Sequence, residues 1–399
     1  MASPNSFYNN TLLRAWYTFS EVNKMKKILT TTLLISLLIF SSCGNKTISS
    51  ESSISSSVSS VKETAVKEET EVSVDLNTES SIEEIATIVD ESKETDDSKL
   101  PSLSVSGSNI VNSNGETLVL KGLSTHGIAW FPSYINEEFF HELKDKWNCS
   151  VVRIAMYTDE YGGFCSGGNK DDLLKLVDDG VNFATDSGLY VIVDWHILSD
   201  ANPNIHIEEA KEFFKTVSLK YKDYTNVIYE ICNEPNGNTT WNDIKDYANT
   251  IIPIIRENDD SSIIIVGTPN WSQVVTAAKN DPITDYDNIM YALHFYADTH
   301  RDSLRDTLED AVSNGLPVFV TEYGICDASG NGAINEDEAR KWMELLDKYN
   351  VSSITWNISN KEETSAIFKS SCTKNSGFTY DDLSESGKWV LNNLGGSLD

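Results

Sequence analysis

Residues 227–235 read Val-Ile-Tyr-Glu-Ile-Cys-Asn-Glu-Pro, a short apolar run that ends abruptly in polar residues. A run of this kind predicts a strand buried on both faces, as in parallel sheets. Similar runs recur along the chain and give eight strand candidates. They are Leu120–Ser124, Val151–Met156, Tyr190–Asp194, Val227–Cys232, Ile263–Gly267, Ile289–His294, Val318–Glu322 and Ser353–Asn357.

The segments between these runs have the apolar spacing of amphipathic helices, for example Asp171–Ala184, Glu208–Lys220 and Glu336–Tyr349. Eight alternating units over residues 100–399 predict one closed (β/α)8 barrel, a TIM barrel, rather than an open doubly wound sheet. No glycine-rich phosphate loop follows the first run, which disfavours dinucleotide binding. The Asn114-Gly115 pair predicts a small β-hairpin that precedes the barrel and covers its N-terminal end.

The N-terminal residues have the pattern of an export signal. Met25-Lys26-Lys27 is basic, residues 28–40 are apolar, and Ser41-Ser42 precede Cys43. A cysteine after small residues resembles a bacterial lipobox, although Phe40 stands where leucine is usual. We therefore expect residues 25–43 to be a lipoprotein-type signal peptide with Cys43 as the lipidation site. Residues 1–24 then lie upstream of the natural initiator, Met25.

Residues 44–99 are rich in Ser, Thr and Glu and have no aromatic side chain. Such a segment buries too little apolar surface to offset the entropy lost on ordering, so it is predicted to be a disordered acidic linker. The formal charge of the whole chain is −30, which argues against nucleic acid as a partner. The expected location is extracellular, as a membrane-anchored cell-surface lipoprotein or a secreted protein.

Polar residues cluster where the predicted strands end. Because catalytic groups of such barrels lie at the C-terminal ends of the strands, these residues are expected to share one rim. Two glutamates close strands directly, namely Glu234 after the fourth run and Glu322 at the end of the seventh. The other polar rim segments are Thr125-His126-Gly127, Asp194-Trp195-His196, His294-Phe295-Tyr296 and Trp356-Asn357.

Two facing carboxyl groups predict a glycosidase. Hydrolysis of a glycosidic bond needs an acid on the leaving oxygen and a carboxylate on the sugar carbon, and a retaining enzyme holds the two roughly 5 Å apart. Arg153 lies within an apolar run and needs an anionic partner. If that partner is Glu322, Glu322 stays ionised as the nucleophile, whereas Glu234 has no evident cation beside it and keeps its proton as the acid.

The segment Ile231-Cys232-Asn233-Glu234-Pro235-Asn236-Gly237 resembles the acid/base signature of family 5 glycoside hydrolases. Further segments resemble the bacterial cellulase branch of that family, and together they span residues 101–395. They are Gly122–Gly127, Val152–Tyr157, Val193–His196, His294–Tyr296, Thr321–Gly324 and Trp356–Lys361. The resemblance implies an endo-β-1,4-glucanase that acts on β-glucan polysaccharide or oligosaccharide, with no cofactor.

The resemblance also implies roles for further residues. Asn233 would bond the sugar 2-hydroxyl, Tyr296 would hold the nucleophile, and His294 would lie against the catalytic pair. Arg153 would pair with Glu322. The residues expected to bind sugar are His126, Trp130, Tyr157, His196, Trp356, Lys361 and Glu363. Tyr323, where many relatives have tryptophan, and Ile325-Cys326 depart from the family pattern at the rim of the seventh strand.

Other interpretations remain open from the sequence. The same frame suits a β-mannanase, a xyloglucanase or a mixed-linkage β-glucanase, and a catalytically silent carbohydrate-binding surface protein is an alternative of another class. No metal site is expected, because the histidines lack the spacing of metal-ligand motifs. Tryptophans such as Trp271, Trp342 and Trp389 are more often core residues, and no role is assigned to these three. The protein is expected to be a monomer.

Overall fold

The computed structural model describes residues 99–398. Within this range, eight parallel strands close into a barrel in the order in which they occur along the chain. The strands are Leu103–Ser106 (β1), Asn109–Asn112 (β2), Thr117–Leu118 (β3), Lys121–Thr125 (β4), Val151–Tyr157 (β5), Tyr190–His196 (β6), Val227–Glu230 (β7), Ile264–Val266 (β8), Ile289–Tyr296 (β9), Val318–Gly324 (β10) and Ser353–Ile358 (β11). Strands β4 to β11 form the barrel, and β11 pairs with β4 to close it. The predicted (β/α)8 fold is confirmed, and each strand candidate is a barrel strand.

The signal peptide, its lipidation site Cys43, the upstream residues 1–24 and all but the last residue of the predicted linker lie outside the described residues.

A small antiparallel sheet precedes the barrel. Strands β2 and β3 form the predicted hairpin, with Val111 opposite Thr117 and Gly115 in the turn at φ 79°. Strand β1 pairs with β2 and adds a third strand that the sequence analysis did not predict. Leu103 and Ile110 of this sheet join an apolar cluster with residues from the starts of the barrel strands. The sheet therefore covers the N-terminal end of the barrel, as expected.

Helices surround the barrel and begin at side-chain caps. Asn136, Asn169 and Asn335 each accept a hydrogen bond from a backbone N–H of the first helical turn, which satisfies a donor that the helix leaves free. The helices are Glu137–Asp145 (α1), Lys170–Asp186 (α2), Ile207–Tyr221 (α3), Trp241–Arg256 (α4), Val275–Asn280 (α5), Asp302–Ser313 (α6), Glu336–Tyr349 (α7) and Glu385–Leu394 (α8). In residues 99–398 no helix is long and apolar enough to cross a membrane.

The inside of the barrel has two layers, because residues two apart on a strand point to the same face. On β5, β6 and β7 an apolar residue is followed two positions later by a charged one. The pairs are Val151 and Arg153, Ile192 and Asp194, and Ile228 and Glu230. All six side chains are buried. The apolar layer closes the N-terminal half, and the charged layer supports the rim at the C-terminal ends of the strands.

Candidate active site

Two glutamates face each other at the C-terminal rim of the barrel. Glu234 follows β7, and Glu322 lies on β10. One carboxylate oxygen of each, together with a ring nitrogen of His294, lie within 4.8 Å of one another. Both glutamates are largely buried, with 9 % and 5 % of their surface exposed, yet both line an open cavity of about 610 Å³. This separation is that of the two carboxyl groups in retaining glycosidases.

Glu322 is held from two sides. The Tyr296 hydroxyl donates to its Oε1 atom at 2.8 Å, and Nη1 of Arg153 lies 3.5 Å from its Oε2 atom. Burial, followed by the charge of Glu234, raises the pKa of Glu322, whereas His294 and Arg153 act in the opposite direction. Both donors favour the ionised form that a nucleophile needs.

Arg153 has closer partners than Glu322. Its Nε atom lies 2.7 Å from Oε2 of Glu230, and its Nη2 atom lies 3.0 Å from Oδ2 of Asp194. All three side chains are fully buried. Burial alone disfavours the charge of Glu230, but Arg153 and the nearby His294 lower the pKa of Glu230 to about 2. One partner, Glu322, was expected for Arg153 from the sequence. Glu230 was missed, although the position of Glu230 inside an apolar run was a signal.

Glu234 has a cation beside it, contrary to the expectation from the sequence. Nδ1 of His294 lies 2.9 Å from Oε1 of Glu234. Burial alone disfavours the imidazolium, but the glutamates around the ring raise the pKa of His294 to about 9. One of these, Glu230, lies 3.8 Å from Nε2, which is too long for a hydrogen bond; the Thr321 hydroxyl bridges the gap.

Asn233 connects the catalytic pair to the second histidine of the rim. Its Oδ1 atom accepts from Arg153 at 2.6 Å, and its Nδ2 group donates to Nε2 of His196 and to the carbonyl of Ile197. Nδ1 of His196 must then carry the proton, and it lies 2.7 Å from Asp194. Burial and then Arg153 lower the pKa of His196 to about 4, so the ring is neutral.

The rings predicted to bind sugar contact one another, and all the predicted sugar-binding residues except Trp130 line the same cavity as the two glutamates. The ring of Trp356 stacks on that of His196 at 5.1 Å, and the ring of Trp130 stacks on that of His126 at 5.5 Å. The Trp130 and Tyr157 rings meet edge to face at 5.2 Å. Trp130 is 41 % exposed, so its ring is accessible to a ligand.

Lys361 and Glu363, which also line the cavity, form an ion pair at 2.6 Å. Nζ of Lys361 also lies 3.3 Å from Nε2 of His126. Burial, then the charge of Lys361, lower the pKa of His126 to about 3. The structure thus places a neutral imidazole beside a charged pair at this end of the cavity.

Two residues of the cavity were missed or misplaced in the sequence analysis. Trp271 was left without a role, but it is 42 % exposed and lines the cavity. It lies in a turn in which Asn270, Trp271 and Ser272 all have positive φ, a conformation that no propensity argument anticipates. His300 also lines the cavity, and its Nδ1 atom accepts from the backbone N–H of Tyr296 at 2.8 Å, so a neutral ring carries its proton on Nε2.

In the described part of the chain, the group with metal-like spacing is Glu234, His294 and Glu322. Oε1 of Glu234 and the two ring nitrogens of His294 have hydrogen-bond partners in each other and in Thr321, and the two oxygens of Glu322 have partners in Tyr296 and Arg153. Their spacing is therefore explained by the catalytic pair and its supports.

A closed barrel with two close carboxyl groups after its fourth strand and on its seventh defines a glycoside hydrolase. The family profile described as Cellulase (glycosyl hydrolase family 5) matches residues 111–362. The chain belongs to this family.

Individual relatives agree. Endoglucanase A of Butyrivibrio fibrisolvens is 50 % identical over 295 residues, covering 73 % of this chain and 68 % of the relative. An endoglucanase of Clostridium saccharobutylicum is 49 % identical over 298 residues, covering 74 % and 65 %. The match thus spans about two thirds of the length of these relatives.

Solved structures agree as well. Cellulase Cel5C_n has a TM-score of 0.71 and 41 % identity, covering 74 % of this chain and 93 % of that chain. The catalytic domain of a Thermobifida fusca endoglucanase, in complex with cellotetraose, has a TM-score of 0.70 and 34 % identity, covering 74 % and 97 %.

Proposed function

We propose that this chain is a retaining endo-β-1,4-glucanase, a cellulase, with Glu322 as the nucleophile and Glu234 as the general acid/base. The observation that carries the proposal is the separation of the two carboxyl groups, whose oxygens lie within 4.8 Å of each other. This leaves room for one sugar carbon and its leaving oxygen but no room for an extra water molecule between them.

In the first step a carboxylate oxygen of Glu322 attacks the anomeric carbon. The bond to the leaving oxygen breaks, and that oxygen takes the proton of Glu234. Tyr296 and Arg153 donate to Glu322 and fix its orientation, which brings it into line with the carbon. The product is a glycosyl-enzyme ester and a shortened chain with a new non-reducing end.

In the second step water attacks the same carbon. Glu234, now ionised, takes a proton from the water, and the ester bond to Glu322 breaks. The His294 imidazolium, 2.9 Å from Glu234, places a positive charge beside the carboxylate that acts as the base. Two inversions give net retention at the anomeric carbon.

Sugar binding is assigned to the two sides of the catalytic pair. We assign His126, Trp130, Tyr157, His196, Trp356, Lys361 and Glu363 to the subsites on the non-reducing side of the cleaved bond. Their aromatic rings offer flat faces for sugar rings, and Lys361 with Glu363 offers charged hydrogen-bonding groups. Trp271 and His300 line the cavity near Glu234 and suit the leaving side.

The substrate is tested with a panel of soluble polysaccharides. Reducing ends released from carboxymethyl-cellulose, mannan, xyloglucan and mixed-linkage β-glucan are measured in parallel. We expect the highest rate on the β-1,4-glucan, with oligosaccharide products of several lengths from an early stage. A higher rate on mannan or xyloglucan would assign another specificity to the same site, and binding without cleavage would favour the carbohydrate-binding alternative.

The residue roles are tested with variants of the two glutamates. Glu322→Gln should lose at least about a thousandfold in kcat while still binding cello-oligosaccharide. Glu234→Ala should still convert an activated aryl β-cellobioside to the glycosyl-enzyme ester. Azide should restore turnover of this variant by attacking the ester, which gives β-cellobiosyl azide. Glu208→Gln, on the outer face of α3, is the control with ordinary activity. Turnover retained by Glu322→Gln would remove the nucleophile from its role.

We also propose that residues 25–43 direct export and that Cys43 carries a lipid, with the Ser/Thr/Glu-rich segment 44–99 as a spacer between the membrane and a monomeric barrel. The signal-like sequence before Cys43 supports this. In a bacterial host, Cys43→Ala should release the enzyme from the membrane fraction into the medium. A membrane fraction equal to that of the wild type would contradict the lipid anchor. Light scattering of the purified chain tests its monomeric state.

A further inference from the structure

Glu230 is a buried carboxylate for which the two-step reaction has no role. It is the last residue of β7, and none of its surface is exposed. Its Oε2 atom accepts from Nε of Arg153 at 2.7 Å, and its Oε1 atom accepts from the Thr321 hydroxyl at 2.8 Å. A charge in such a place is expensive unless it is fully paired, so its presence needs an explanation.

The hydrogen bonds of Glu230 continue to the acid/base. A threonine hydroxyl has one hydrogen, and Thr321 gives it to Glu230. Thr321 must therefore accept from Nε2 of His294, which lies 2.9 Å away, so Nε2 carries a proton. Nδ1 of the same ring lies 2.9 Å from Glu234. The hydrogen bonds from His294 through Thr321 to Glu230 thus have a fixed direction, and Nδ1 of His294 connects them to Glu234.

We propose that Glu230 is a positioning residue for proton transfer: through Thr321 it orients His294 and stabilises the imidazolium form of that ring beside Glu234. The inference rests on the proposed acid/base role of Glu234. A cation at this place faces the negative charge that appears on Glu234 once it has given its proton to the leaving oxygen, and the resulting carboxylate then activates water.

The charges around His294 support this direction. Three carboxylates face the ring, Glu230 from β7, Glu234 from the loop after it and Glu322 from β10, and they raise the pKa of His294 to about 9 against the effect of burial. The other charged or titratable groups nearby are Arg153 on β5, Asp194 on β6, Tyr296 on β9 and His300 after it. Arg153 is the permanent cation among them, and it is paired with Glu230 and Asp194.

Asp194 provides a matched control. Like Glu230, it is fully buried and pairs with Arg153. Its other contact is Nδ1 of His196, and it bonds neither Thr321 nor His294. A role limited to pairing with Arg153 would therefore make Glu230→Gln and Asp194→Asn behave alike, whereas the proposed role makes them differ.

The experiment compares four variants of the full chain: Glu230→Gln, Thr321→Val, Thr321→Ser and Asp194→Asn. The pH profile of kcat/KM is measured on a soluble cello-oligosaccharide, and the imidazole nitrogens are followed by 15N NMR, with His294 assigned from a His294→Gln sample. Loss of the charged ring takes a positive charge away from Oε1 of Glu234, 2.9 Å distant. Glu230→Gln and Thr321→Val should therefore move the alkaline limb up by at least about half a pH unit.

The controls should behave differently. Thr321→Ser keeps the hydroxyl and should keep the limb of the wild type, and Asp194→Asn should shift it less than half as far as Glu230→Gln. His294 should be an imidazolium near pH 7 in the wild type and a neutral ring in Glu230→Gln. The proposal would be overturned if Glu230→Gln and Asp194→Asn shifted the alkaline limb equally. It would also be overturned if Thr321→Val left both the alkaline limb and the charge of the His294 ring unchanged.

If Glu230→Gln does not fold, Thr321→Val decides the matter, because it removes one hydroxyl and leaves every charge in place. Failure of the proposed function is seen separately, as ordinary turnover of cello-oligosaccharide by the Glu322→Gln and Glu234→Ala enzymes. Inactive glutamate variants together with an unshifted limb in Thr321→Val would contradict the role of Glu230 alone.

Discussion

The two halves of the barrel interior are built on the same strands but from opposite kinds of residue. In the N-terminal half, Val151, Ile192 and Ile228 pack with residues of the small sheet in an apolar cluster. Two positions further along the same strands, the inward residues are Arg153, Asp194 and Glu230, which form a buried ion network. Both layers are inaccessible to solvent, so exposure does not explain the change.

The difference shows what each half contributes. Burying apolar side chains stabilises the fold at any pH, by roughly 25 cal/mol for each Å² removed from water. Burying charges seldom gains stability over apolar residues of the same volume, and removing one partner is strongly destabilising. The charged layer therefore fits a site that must hold carboxylates in defined protonation states directly above it.

The largest expected effect is that of removing the cation of the charged layer. Arg153→Met leaves Glu230, Asp194 and Glu322 without their shared partner, so we expect the free energy of unfolding to fall by about 3–5 kcal/mol. Activity should fall as well, because Glu322 loses one of its two donors. Urea unfolding followed by circular dichroism measures the first effect, and turnover of the folded fraction measures the second.

Arg153→Lys is the matched variant, because it keeps the charge but loses the fork that reaches several acceptors at once. It should regain part of the stability and little of the activity. If Arg153→Met were as stable as the wild type, pairing with Arg153 would not be what keeps the buried carboxylates from destabilising the fold.

A cavity in the apolar layer should affect stability alone. Ile228→Ala removes buried methyl and methylene groups, so we expect the free energy of unfolding to fall by about 2–4 kcal/mol. Because Ile228 lies in the layer below the ion network, kcat and KM of the folded enzyme should stay within a factor of about two of the wild type. A large drop in kcat at a temperature where the variant is fully folded would show that the two layers are not independent.

The two layers also differ in how much of them could be predicted from the sequence. Apolar runs predict the eight strands because burial on both faces leaves a continuous pattern, and the polar residues that follow them predict the rim. The partners of Arg153 were not predictable in the same way, since which strands bring their charges together depends on barrel closure and on register. Asp194 and Glu230, for example, lie opposite each other on neighbouring strands.

Backbone conformation limited the other predictions. Trp271 reaches the cavity through a turn with three residues at positive φ, and composition alone does not indicate such a turn. Strand β1 was missed because four residues, Leu103–Ser106, are too short for a pattern to be distinct from a loop. The cation beside Glu234 was missed for a third reason, because His294 comes from β9, sixty positions away.

The charged half should also be where stability depends on pH. His126 has its pKa lowered to about 3 by burial and by Lys361, whereas an unfolded histidine titrates near 6.5. Between these values the unfolded chain binds a proton that the folded protein does not, so stability falls as pH falls from 6.5. Substitution of His126 by Asn removes this linkage.

The wild type should therefore lose about 2 kcal/mol more than His126→Asn between pH 6.5 and pH 4.5. Urea unfolding at both values measures the difference, in which groups common to the two proteins cancel. Ile228→Ala should keep the pH dependence of the wild type. Parallel curves for His126→Asn and the wild type would mean that His126 takes up its proton in the folded protein at the same pH as in the unfolded chain.

The smallest effects are expected at the exposed rim, where single aromatic rings contact a ligand without supporting the barrel. Trp130 and Trp271 are exposed to a similar degree, but Trp130 stacks beside His126, whereas the backbone N–H of Trp271 bonds Pro235 next to the acid. Because the acid is proposed to protonate the leaving oxygen, we assign Trp271 to the leaving side and Trp130 to the other. Trp271→Ala should raise KM about tenfold, or about 1.4 kcal/mol, for cellopentaose but leave an aryl β-cellobioside unaffected, since that substrate places no sugar on the leaving side. Trp130→Ala should raise KM for cellopentaose by a similar factor with kcat unchanged. If both variants changed KM for the aryl β-cellobioside alike, Trp271 and Trp130 would not lie on opposite sides of Glu234. The contrast between a rim that binds substrate and a buried layer that sets the charges of the site would then not hold.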